Sequence, residues 1–113
     1  MDILNDLDEE LTARGLNTKI VFISYTDTVW APEKEKIRNP DRFTLLFAPI
    51  SRSYTQPLSG DATGGVTKPY ERNKCVMPKL PKDTFAYFDK WKEVWKGANV
   101  AYEYHFWKHF VFD

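Results

Sequence analysis

Three short stretches of the chain gather carboxylates, a guanidinium, hydroxyls and flat aromatic rings. The first is Ser24-Tyr25-Thr26-Asp27-Thr28, with Trp30 just beyond. The second is Pro49-Ile50-Ser51-Arg52-Ser53-Tyr54, and the third is Tyr102-Glu103-Tyr104-His105. Carbohydrates present many hydroxyls and apolar ring faces, so a sugar site draws on this mixture of side chains. Arg52 suits a two-pronged pair with a carboxylate, including that of a uronic acid. Trp30 and Tyr54 offer faces for stacking on pyranose rings. Most glycosidases flank the scissile bond with two carboxyl groups. Glu103 as acid/base, with Asp27 as its partner, is the best pair in this chain. Tyr25, Arg52, Tyr104 and His105 would hold substrate hydroxyls or a carboxylate.

Each of these residues has a plainer reading. Asp27 with Thr28 also reads as a turn cap. Arg52 also reads as one arm of a structural bridge to Glu103 or Asp27. Glu103 sits inside an aromatic stretch, where a carboxylate needs partners. His105 and His109 resemble a metal pair, but on a strand they need not share a site with a third ligand and read as satisfied or exposed histidines, so no metal or cofactor is expected. Gly64-Gly65 lacks the strand-to-helix setting of a phosphate loop. Nucleophile-elbow, zincin and Walker patterns are all missing. Cys75 is the one cysteine, too few for an internal disulfide, and reads as a small, partly buried residue.

The elements that would position these groups follow from hydrophobic period. Residues 3–14 read as an amphipathic helix, with Leu4, Leu7 and Leu11 on one side and Gly15 as its stop. Ile20–Tyr25 and Phe43–Ala48 are short, nearly continuous apolar runs, as in parallel strands buried on both faces. Between them, Pro32 to Ile37 has room for one helical turn, ended by Pro40. Residues 51–81 have no sustained period. Their Tyr54, Tyr70 and Arg72 argue for an ordered functional loop over a linker. Residues 84–96 form the clearest helix, capped by Asp83 or Thr84, with Phe85, Phe88, Trp91, Val94 and Trp95 on its packed face. Val100–Phe106 alternates as a third strand.

This order predicts an α/β fold: a small three-stranded, mostly parallel sheet with two main helices. In such folds function collects at the carboxyl ends of strands, where all three residue sets lie. With one strand intervening, the backbones bearing Asp27 and Glu103 would stand roughly 10 Å apart. That span admits both retaining and inverting geometry.

The same residues carry a resemblance. Phe22-Ile23-Ser24-Tyr25-Thr26-Asp27-Thr28, Pro32, Phe47-Ala48-Pro49-Ile50-Ser51-Arg52, Trp91 and Tyr102-Glu103-Tyr104 together resemble the bacterial domain of unknown function 4838. That family is similar to the barrels of α-glucuronidases and β-hexosaminidases. Thr26 stands where the family pattern has histidine. The resemblance covers about residues 16–106 and implies a partial (β/α) TIM barrel. Residues 1–113 would then be a single unit within a larger glycosidase-like barrel, inactive alone. It also implies a glycan or oligosaccharide partner, contact with the rest of the parent polypeptide, and an exported parent, periplasmic or at the cell surface. The alternative is a non-catalytic glycan-binding or scaffold domain.

Composition narrows the partners. Sixteen basic residues balance sixteen acidic ones, which leaves no electrostatic footprint for nucleic acid. No apolar run approaches the roughly 20 residues of a membrane span, and no export signal is visible at the amino terminus. Unpaired strand edges and uncovered apolar faces are expected to make the isolated chain self-associate.

Overall fold

A computed structural model describes residues 1–53, 55–57, 62–74 and 76–103. Helix α1 spans Asp2–Ala13, strand β1 Ile20–Ser24 and β2 Phe43–Phe47. Helix α2 follows at Pro81–Val94 and β3 at Ala98–Ala101. The strands form one sheet in sequential order, β1-β2-β3, and both pairings are parallel. The α/β architecture with three parallel strands and two helices is therefore the observed one. The register aligns Phe22 with Leu45 and Leu46 with Val100. Two further bonds carry the ladder past the strand ends: Ala48 donates to the Ser24 carbonyl (2.9 Å) and Tyr102 to that of Phe47 (2.8 Å).

One face of this sheet is packed. Phe43, Leu45 and Phe47 point to the same side of β2 and are buried with Tyr87, Phe88, Trp91 and Trp95 from α2 and its end. The Phe47 ring stacks on Phe88 at 4.8 Å, and Phe22 of β1 meets the Trp95 ring edge-on at 5.2 Å. Each fully buried side chain of this size contributes about 1.5–3 kcal/mol, so this aromatic layer is the main source of stability. Both connections between strands lie on this side. Val29, in the first, shares the core with α2, and its carbonyl and that of Thr28 accept from the Trp91 indole N–H (3.0 and 3.2 Å).

The opposite face differs from expectation. The continuous apolar run of β1 predicts burial on both sides. Instead Val21 and Ile23 are 58% and 54% exposed, and Val100 on β3 is 49% exposed. Register places these three with Thr44 and Leu46 on one side of the sheet, and no described element covers it.

Other differences have local causes. Helix α2 starts three residues earlier than predicted, because Pro81 occupies its first turn, where a missing N–H costs nothing. Thr84 is not its cap. It is buried, and its hydroxyl donates back to the Leu80 carbonyl. The chain between β1 and β2 holds 3₁₀ turns at Thr26–Val29 and Pro40–Arg42, not the predicted turn at Pro32 to Ile37. Strand β3 begins two residues before Val100. The aromatic stretch expected to complete it lies outside the described residues from Tyr104 onward.

Helix α1 does not bury a full leucine stripe. Leu4 packs against the core margin, but Leu7 is exposed, and the one fully buried residue is Asn5. Its side-chain amide donates to the Lys36 carbonyl (2.9 Å) and accepts from the Arg38 N–H (2.9 Å). Nearby, buried Arg42 pairs with Asp8 and donates to the Leu16 and Thr18 carbonyls and the Thr12 hydroxyl. Polar anchoring, more than a greasy face, holds α1 to the entry of β2.

Candidate functional site at the strand carboxyl ends

The carboxyl end of β1 passes straight into the Thr26–Val29 turn. Thr28 closes that turn: its hydroxyl donates to the Tyr25 carbonyl and accepts from the Tyr25 N–H, both at 2.8 Å. Thr26 takes a left-handed backbone (φ 50°), unusual for a β-branched residue. Strain of this kind collects at functional sites. Its hydroxyl donates to an exposed Asp27 carboxylate oxygen (3.2 Å). Tyr25 itself is partly exposed at the lip of the turn.

Trp30 is the hub of the next few residues. Its ring meets Tyr70 and Tyr87 edge-on, at 5.5 and 5.4 Å. Its indole N–H donates to the Lys68 carbonyl (2.7 Å). The Tyr87 hydroxyl accepts from the Lys68 N–H (2.8 Å), and the Asp83 carboxylate accepts from the Val66 N–H (2.9 Å). Gly65 lies so close to the Lys82 carbonyl that no side chain fits there. The described part of the long loop is thus an ordered segment fastened along α2, as the sequence suggested. Its other end is held by Ser51 and Ser53, which donate to the Pro78 and Lys79 carbonyls.

Beyond β2 and β3, Arg52 and Glu103 form an ion pair. The Arg52 side chain is buried, and it also donates to the Ser53 carbonyl (2.9 Å) and the Gln56 carbonyl (3.3 Å). Glu103 is one-third exposed. The pair ties the exit of β2 to the exit of β3, which is the bridge that the two residue types allowed.

A groove of about 980 Å³ opens beside β1, and Asp27, Thr28, Trp30, Lys68 and Tyr70 line one end of it. The structure therefore brings Asp27 and Trp30 together with Tyr70, and brings Arg52 together with Glu103. Neither Arg52 nor Glu103 lines the groove. Tyr54, Tyr104 and His105 lie outside the described residues. Lys68 and Tyr87 were not singled out from the sequence. The signal for Tyr70 was present, as an aromatic in a loop with no period.

Among the described residues, no three His, Cys, Asp or Glu side chains are grouped to hold a metal ion, and no helix is long and apolar enough to cross a membrane. No family model, curated protein or solved structure matches the chain.

Proposed function

We propose that this chain is part of a carbohydrate-active, glycoside-hydrolase-like barrel and that the carboxyl ends of its strands face a glycan. The observation that carries the reading is the juxtaposition of three parallel, sequentially ordered strands whose exits bear Asp27 with Trp30, Arg52, and Glu103. Barrels of the (β/α) type run their strands in this order, cover the outside with connections and place chemistry at this rim. The apolar face of Val21, Ile23, Leu46 and Val100 corresponds in that reading to the barrel interior, which other strands would fill. One half of a doubly wound sheet leaves the same face open, so the barrel rests also on the family resemblance of the strand ends. In this reading Glu103 is the acid/base, Asp27 its partner and Trp30 a stacking platform, and the parent protein is exported.

The geometry gives specific support to a second reading, a non-catalytic glycan-binding or scaffold domain. Glu103 is engaged by Arg52, and it does not share the aromatic groove that Asp27 lines. Binding by Trp30, Tyr70 and Asp27 needs no carboxylate pair.

Both readings predict that the purified chain binds oligosaccharides, neutral or uronic-acid-containing, and that Trp30→Ala weakens binding roughly tenfold through loss of stacking area. A glycan array followed by titration of the hits tests this. No binding to any glycan, or equal binding by Trp30→Ala, overturns both. Glu103→Gln in a barrel protein containing this segment separates them: lost turnover with retained binding marks an enzyme, and unchanged turnover removes Glu103 from the mechanism. The isolated chain is expected to hydrolyse no glycoside, and robust turnover by it refutes the partial-barrel reading.

A further inference from the structure

The groove continues past Trp30 along the outer edge of β1. Phe22 and Ile23 are adjacent in a strand and so point to opposite faces of the sheet, yet both line it. A cleft that reaches the strand's free edge meets both. Its far walls are Leu4 of α1 and Trp91 and Val94 of α2. Among the described residues β1 pairs with β2 alone. An edge strand turns every second set of backbone N–H and C=O groups away from its neighbour, and these form a template for another strand. The edge residues Val21 and Ile23 carry no charge, proline or bulge to discourage such pairing.

The rim selects for charge. Lys90 and Glu93 neutralise each other in an ion pair (3.0 Å). Asp27, Glu33 and Glu35 then stand against Lys68 and the Met1 amino group, three carboxylates to two ammoniums. The walls are apolar and aromatic.

We propose that β1 accepts an extended peptide strand by β-augmentation, one with aliphatic side chains at alternate positions and lysine or arginine at its ends. Backbone ladder bonds to β1 supply the affinity, the Phe22–Trp91–Val94 wall takes the aliphatic side chains, and the acidic rim takes the basic ends. The inference does not use the glycan site, and it competes with the barrel, in which a neighbouring strand would occupy this same edge of β1. It concerns the length of the groove along the strand, not the Trp30 end alone.

The test uses the whole chain and a fluorescent nine-residue peptide of alternating valine and threonine with two lysines at each end. Anisotropy should show saturable binding, and hydrogen exchange should slow at amides within Ile20–Ser24. The same peptide with glutamates in place of the lysines should bind roughly tenfold more weakly at low salt. A peptide N-methylated at alternate amides on its bonding edge should lose more than about tenfold, because each methyl removes a ladder bond. No change in β1 exchange, or equal affinity for the methylated peptide, overturns the proposal. Glycan binding at Trp30 without peptide protection of β1 sinks this inference and leaves the carbohydrate reading standing. The reverse result does the opposite.

Discussion

Replacing Asp8 by alanine strands a buried cation and should cost more stability than any other single charge removal on α1. Arg42 and Asp8 are only 8% and 14% exposed. Removing one partner of a buried pair costs about 3–5 kcal/mol, because the remaining charge stays desolvated. Arg42 keeps two carbonyls and the Thr12 hydroxyl, at 2.9–3.0 Å, so the low end, about 3 kcal/mol, applies. For a domain of this size 1 kcal/mol corresponds to about 4 °C in Tm, giving a fall of roughly 12 °C. The neighbouring Arg38–Glu9 pair is the built-in control. Its carboxylate lies on the same helix, but the two partners are 63% and 62% exposed, and exposed pairs contribute at most about 1 kcal/mol. Urea titrations of Asp8→Ala and Glu9→Ala, fitted to a two-state transition, make the comparison. Equal midpoints for the two variants would show that polar anchoring of α1 is not what the burial of Arg42 implies.

Three further outcomes are expected. Gly97→Ala should destabilise by about 1–3 kcal/mol, since its methyl would press on the Trp95 ring and lie 2.8 Å from the Pro40 carbonyl oxygen; a denaturation midpoint unchanged from wild type would contradict the packing described. Tyr87→Phe should cost about 1 kcal/mol through loss of the hydroxyl that accepts from Lys68, and exchange at the Val66 and Lys68 amides should quicken. Val21→Lys combined with Ile23→Lys should abolish the concentration-dependent association expected of the open sheet face; sedimentation velocity showing a monomeric wild type at high concentration would remove the premise.

Much of the architecture was legible because it rests on period and punctuation. The apolar runs Ile20–Tyr25 and Phe43–Ala48 located β1 and β2 to within a residue. Trp91 and Trp95 announced themselves as core by their spacing. What failed did so for physical reasons. An apolar run states that burial is needed and does not state which element supplies it, so Val21 and Ile23 were expected inside. Leu7 looked like one rung of a stripe because helical period is blind to the amide of Asn5, whose two backbone partners lie more than thirty residues away. Alternation of large aromatics pulled the third strand toward its C-terminal side, whereas its observed start, Ala98-Asn99, has little intrinsic strand preference. At the site, chemistry of residue types foresaw the Arg52–Glu103 pair as one of two options. It could not foresee that Asp27 would share a groove with Tyr70, because that depends on how a loop without period is pinned to α2.

The long-range bond from Trp91 to the Val29 carbonyl, spanning 62 residues, has a consequence for how the chain acquires its shape. The turn after β1 is fastened to α2, which is translated much later. A nascent chain that has emerged only through β2 therefore holds two strands whose aromatic side has nothing to rest on. Contacts this far apart slow folding, and an exposed strand pair is prone to wrong association while it waits. Acquisition of structure during synthesis should accordingly be late and abrupt, arriving with the tryptophans of the second helix rather than growing steadily from the amino terminus.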